Sequence, residues 1–115
     1  MQLKITDEAV EQLQTLNHEN KQFLLLWYDI EGCGCGVNGV PTIRFVNEVK
    51  DYHVSVKNEV FKTYISEQQM TFFAPTMILQ FMQGAFRLSS PNEILNPFIS
   101  ISSINQPLEE GTEAR

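Results

Sequence analysis

The sequence predicts one domain built mainly of β-strands with a few helices, an α+β chain, and three observations carry that reading. Its 115 residues suit a single core, and 43% hydrophobic with 10% aromatic content is enough to fill one without disulfides. Short apolar or alternating segments recur along the chain, separated by breaks rich in Gly, Pro and Asn. Helical spacing is clear only near the start.

That first helix is expected over about 7 to 17. Thr6 can cap it, Asp7 and Glu8 place negative charge on its first turn, and Val10, Leu13 and Leu16 form an apolar stripe. After the polar turn His18 to Gln22, the run Phe23-Leu-Leu-Leu-Trp-Tyr28 is apolar throughout, as in a strand covered on both faces. Glycines 32, 34, 36 and 39 then make a loop of unusual backbone freedom. Pro41 to Val46 reads as the next strand. Tyr52, Val54 and Val56 alternate with His53, Ser55 and Lys57 in a half-buried one, with His53 outward and solvated. Val60 to Ile65 follows as strand, and Ser66 can cap a short helix that ends before Pro75. Met77 to Met82 and Phe86 to Ser89 flank a turn at Gln83-Gly84. Ser90 to Pro97 reads as a proline-bounded loop and Phe98 to Ser103 as the last strand. The domain therefore spans 1–104, and the polar, acidic tail 105–115 is expected to be disordered.

The net charge of -6 and the pI near 4.8 give a surface that repels phosphate backbones and anionic lipid. Neither nucleic acid nor a membrane is an expected partner. No apolar run approaches the roughly 20 residues of a membrane span, and Met1 opens on Gln2-Leu3-Lys4 rather than a signal peptide. A soluble cytoplasmic protein is expected.

The two cysteines, Cys33 and Cys35, are the most informative residues. Separated by one glycine, they form no disulfide framework, but a thiolate pair suits zinc, copper(I) or iron-sulfur chemistry. Two ligands do not close a tetrahedral site. Either a second copy of the chain supplies another pair, making four thiolates for a [2Fe-2S] cluster, or a carboxylate such as Asp29 or Glu31 completes a weaker site. Two plainer readings stand beside these: small buried residues in a tight glycine turn, or a redox pair whose strained ring is easily reduced.

Other candidates recommend themselves less. Gly34-Cys-Gly-Val-Asn-Gly39 matches the glycine fingerprint of dinucleotide sites, but strand rather than helix follows it. His18 follows the first helix, and neither it nor His53 has a nucleophile beside it. Ser89-Ser90 and Ser102-Ser103 lack a nucleophile-elbow pattern, and Met70 to Met82 reads as core. Nothing here recommends an enzyme.

Three places in the chain resemble the HesB-like family of A-type iron-sulfur carrier proteins: Ile5-Thr-Asp-Glu-Ala9, Glu31-Gly-Cys-Gly34 and Phe86-Arg-Leu-Ser-Ser-Pro-Asn92. The likeness runs to about Ile101. A Gram-positive branch of small proteins is similar over Trp27 to Gly39 and Phe86 to Phe98. The resemblance implies a compact β pseudo-barrel or sandwich, with cluster donors and apoprotein recipients as partners; the homodimer is expected from the count of thiolates instead. Carriers of the main family place a Cys-Gly-Cys after the Pro-Asn turn, where this chain has Glu93-Ile-Leu-Asn-Pro-Phe98. Only Cys33 matches a family ligand. The function expected is iron-sulfur cluster assembly or carriage, with iron or a [2Fe-2S] cluster held by Cys33 and Cys35. The alternative is a binding or thiol-redox module that kept the fold and lost the carrier site. The Ser90 to Pro97 segment is expected to fold back toward the Cys33 turn, with Ile94 and Leu95 as an apolar wall.

Overall fold

A computed structural model of the chain describes residues 1–17, 20–29 and 39–104. The strands are β1 (Gln2–Ile5), β2 (Phe23–Asp29), β3 (Val40–Val46), β4 (His53–Val56), β5 (Lys62–Ser66), β6 (Thr76–Met82), β7 (Ala85–Ser89) and β8 (Ile94–Ser100). Helix α1 covers Asp7–Leu16, and 3₁₀ turns cover Glu67–Phe72 and Ile101–Ser103. The mainly β, α+β class expected from the sequence is what forms.

The strands make two mixed four-stranded sheets, ordered β1-β6-β7-β8 and β3-β2-β5-β4. In the first, β1 runs parallel to β6 and the other pairs are antiparallel. In the second, the parallel pair is β2 with β5. The sheets meet along both edges. At one seam Leu3 N–H donates to Lys57 O at 2.9 Å and Lys57 N–H to Met1 O at 3.0 Å, joining β1 to the end of β4. At the other, the Asn96 side chain on β8 donates to Pro41 O on β3 at 2.7 Å, and Phe45 N–H to Ile104 O at 3.0 Å. These bonds at both edges join the two sheets into a pseudo-barrel.

Alternation on each strand aims one face inward. Leu24, Leu26, Ile43, Phe45, Val56 and Ile65 from one sheet pack with Leu3, Met77, Leu79, Phe86, Leu88 and Ile99 from the other. Helix α1 adds Ala9 and Leu13 to this core; Thr6 caps it, accepting from Ala9 N–H at 3.4 Å. Leu24 to Trp27 are buried without a break, as expected of a strand covered on both faces. Gln83 and Gly84 have φ of 53° and 82°, the two left-handed residues that a tight type I′ hairpin turn between β6 and β7 requires.

Several expectations need correction. β1 was not foreseen, although Leu3 and Ile5 alternate with polar Gln2 and Lys4; four residues are too short a pattern to stand alone. β5 begins at Lys62 rather than Val60, because Asn58 Oδ1 accepts from both Val60 N–H and Phe61 N–H at 2.8 Å and holds them in a turn. Ser66 precedes a 3₁₀ turn and makes no side-chain cap. The proline-bounded loop is shorter than expected: Ser90 closes a turn with Glu93, and strand starts at Ile94, four residues before Phe98. Pro97 is tolerated there because β8 is the edge strand of its sheet and its pairing with β7 is irregular. Residues 101–103 leave the strand as a 3₁₀ turn capped by Ser100. The tail 105–115 lies outside the described residues.

Candidate metal centre

Cys33, Cys35 and Glu31 fall in the stretch 30–38, outside the described residues, as does His18. What the structure defines is the stem on either side of that stretch. β2 and β3 pair from Phe23↔Val46 to Asp29↔Val40, so Asp29 and Val40 face each other on either side of that stretch. Asp29 therefore stands at the loop's entry.

Three side chains secure the stem. Tyr28 Oη accepts from Gly39 N–H at 2.9 Å, tying the loop's last residue to its entry strand. Tyr28 N–H donates to Gln69 Oε1 at 2.9 Å. Its ring lies flat on Phe72, centroids 3.8 Å apart and planes 8° from parallel. On the other side of the stem, Pro41 opposes Tyr28 on an edge strand, where its missing N–H costs no ladder bond. Its carbonyl turns toward β8 and receives the Asn96 amide; the same side chain accepts from Phe98 N–H at 3.0 Å. The segment after the Pro-Asn turn thus folds back to the base of the cysteine loop. Asn96, rather than Ile94 or Leu95, makes the hydrogen-bonded link: Ile94 is 52% exposed and Leu95 packs partly on the core.

His53 is not solvated as the alternation suggested. It is 9% exposed, and Nδ1 accepts from Lys50 N–H at 2.8 Å. The reason lies in the second sheet, part of whose outer face is buried as well. Trp27, Thr42, Arg44 and Ser66 share that face with His53, and the Arg44 guanidinium lies 4.4 Å from the Trp27 ring centre. Among the described residues, no three His, Cys, Asp or Glu side chains gather into a metal site. Met70 to Met82 contributes Phe73, Met77 and Leu79 to the core as expected, but Phe72 instead stacks on Tyr28. Tyr28, Gln69, Phe72 and Asn96 were missed as site residues; the only sequence cue was the proximity of Tyr28 and Asn96 to the two motifs.

No helix among the described residues is long and apolar enough to cross a membrane. The family model for iron-sulphur cluster biosynthesis matches residues 1–103. The uncharacterized protein YqkB of Bacillus subtilis (strain 168) is 36% identical over 104 residues, covering 88% of this chain and 97% of its own. A crystal structure of a protein from Lactobacillus acidophilus assigned to Fe-S biosynthesis superposes with a TM-score of 0.66 at 22% identity, covering 90% of this chain and 93% of that one. IscA, in a crystal structure with the [2Fe-2S] cluster, superposes with a TM-score of 0.60 at 18% identity, over 78% and 86% of the two chains. At such identities the structural likeness establishes the fold.

Proposed function

Because the chain belongs to the iron-sulphur cluster biosynthesis family, matched over residues 1–103, we propose that it carries iron or a [2Fe-2S] cluster on Cys33 and Cys35 and passes it to an apoprotein in the cytoplasm. The observation that supports this most is the position of the chain's only two cysteines in the segment bounded by the fixed stem Asp29↔Val40. Thiolates are the soft donors that iron-sulfur chemistry uses, and two per chain make four when two chains meet. The cargo is then shared across a homodimer, donated by one protein and delivered to another.

A second reading has its own support: Glu93 to Phe98 holds no cysteine where the resembling carriers have Cys-Gly-Cys, and Asn96 in that segment is engaged in structure. On it, the chain is a thiol-redox or binding module. Anaerobic reconstitution with iron and sulfide separates the two. Iron and sulfide that co-purify with the protein, and are lost in Cys33→Ser and Cys35→Ser, support the carrier; unchanged iron content in both variants overturns it.

A further inference from the structure

The outer face of the sheet β1-β6-β7-β8 carries an exposed apolar rung with an unpaired charge on either side of it. Lys4 opposes Ile78, Ile78 opposes Ser89 and Ser89 opposes Ile94, and directly opposed residues point to the same side. Their strand neighbours Met77, Leu79 and Leu88 lie in the core, which puts this rung outside, with Ile78 and Ile94 exposed. Arg87, two residues back along β7 from Ser89, takes the same side. The irregular pairing of β8 sets Pro97 and Phe98 against it, Phe98 with 66% of its surface exposed. Among the described residues the Arg87 guanidinium makes no ion pair or hydrogen bond, and its Nε is buried without a partner. Beyond the rung on the other side stands Glu93. Its backbone is fixed by the turn, where Ser90 N–H donates to Glu93 O at 2.8 Å and Glu93 N–H to Ser90 Oγ at 3.2 Å, while its carboxylate has no cation of its own.

We infer that this face is where a second copy of the chain docks. A two-fold dimer presents the same patch twice, so its contacts come in reciprocal pairs. With the axis laid along the rung, Ile78 and Ile94 come together with their own counterparts, and the two sides of the rung exchange. Arg87 stands on one side and Glu93 on the other, so each guanidinium is set toward Glu93 of the partner subunit, and both unpaired charges are satisfied at once. This self-complementarity of charge selects a second copy, since an apolar rung alone would suit many partners. Lys4, on the outermost strand and exposed, falls at the rim, where a long side chain reaches water. The homodimer of the carrier reading thereby gains a particular face, and rests on that reading for its purpose only. The contact uses neither cysteine, so the dimer forms without metal.

Sedimentation velocity of the full chain over a range of concentrations, with a chelator present, is the test. Glu93→Arg should weaken the dimer by about tenfold, because it turns both reciprocal pairs from attraction to repulsion. The position is exposed, so folding is not at stake. Arg87→Glu should weaken it likewise, and the two substitutions together, which restore opposite charges, should return the dissociation constant to within about threefold of wild type. Ile94→Asp, exposed and at the axis, should give a monomer. A wild-type chain that stays monomeric, single reversals without effect, or a double variant no tighter than the weaker single overturns the assignment. Cluster content after reconstitution is read separately. A dimer indifferent to these variants that still holds iron and sulfide removes this face and leaves the carrier reading; a dimer that responds to them but takes up no iron removes the carrier reading and leaves the face.

Discussion

Asn96→Ala tests whether the seam between β8 and β3 is held as the structure describes. The side chain is buried and makes two bonds, donating to Pro41 O at 2.7 Å and accepting from Phe98 N–H at 3.0 Å. Truncation to Ala removes both at once and leaves two backbone groups in want of a partner. At roughly 1 to 1.5 kcal/mol for each bond, the expected loss is about 2 to 3 kcal/mol. For a domain of this size that lowers the thermal midpoint by about 8 to 12 °C. Chemical denaturation followed by far-ultraviolet circular dichroism gives the free energy, and a thermal scan gives the midpoint. Asn96→Asp separates the two bonds: a carboxylate can still receive Phe98 N–H but turns an oxygen toward the Pro41 carbonyl. It should therefore destabilise at least as much as Ala. A loss below about 0.5 kcal/mol in Asn96→Ala, the range of an ordinary surface change, would refute the seam.

Gly84→Ala should cost about 1 kcal/mol, measured in the same denaturation assay: a Cβ there meets nothing within 4 Å, so only the strain of φ +82° remains. Reconstituted protein should carry one [2Fe-2S] cluster per two chains and run as a dimer in size-exclusion chromatography with light scattering; a full cluster on a monomer contradicts the shared site. Ile94→Ser with Leu95→Ser should shorten the lifetime of the reconstituted cluster against a chelator while the thiol count stays at two per chain, if these residues shield the cysteines; an unchanged lifetime removes that role. Metal affinity should fall as pH falls, because protons compete with metal for the thiolates; a titration of the charge-transfer band with no pH dependence contradicts sulfur ligation.

The legible parts of this fold were those with strong local patterns. Thr6 with Asp7 and Glu8 marks the start of α1, the continuous apolar run marks β2, and Gln83-Gly84 marks the hairpin turn because only left-handed residues close it. The misread parts depended on partners far along the chain. His53 looked outward because alternation shows which side of a strand a residue takes, and cannot reveal that the outer face is buried where His53 stands. Ile94 to Pro97 looked like loop because proline argues against strand; it is strand because β7 offers it an edge. The cysteine pair is prominent in the sequence but lies outside the described residues; what the structure adds is the stem beside it. The supports of that stem were not legible, since Gln69 lies 41 positions from Tyr28 and Asn96 lies 55 from Pro41.

The second of those long-range bonds bears on the part played by the segment 93–98, which holds no cysteine. In the resembling carriers that position supplies ligands, which must stay available to metal. Here the Asn96 amide donates with its nitrogen and accepts with its oxygen, so both ends of the side chain are engaged within the fold. Pro97 brings no N–H at all, and Ile94 and Phe98, 52% and 66% exposed, turn apolar surface outward. A segment so arranged fixes the stem of the cysteine loop from one side while Tyr28, Gln69 and Phe72 fix it from the other. On the carrier reading the soft donors are Cys33 and Cys35, and β8, which holds no cysteine, braces the stem at Pro41 instead of supplying ligands. On the carrier reading proposed above, two thiolates per chain make four when two chains meet, and the apolar surface that Ile94 and Phe98 expose on β8 is available for such a meeting.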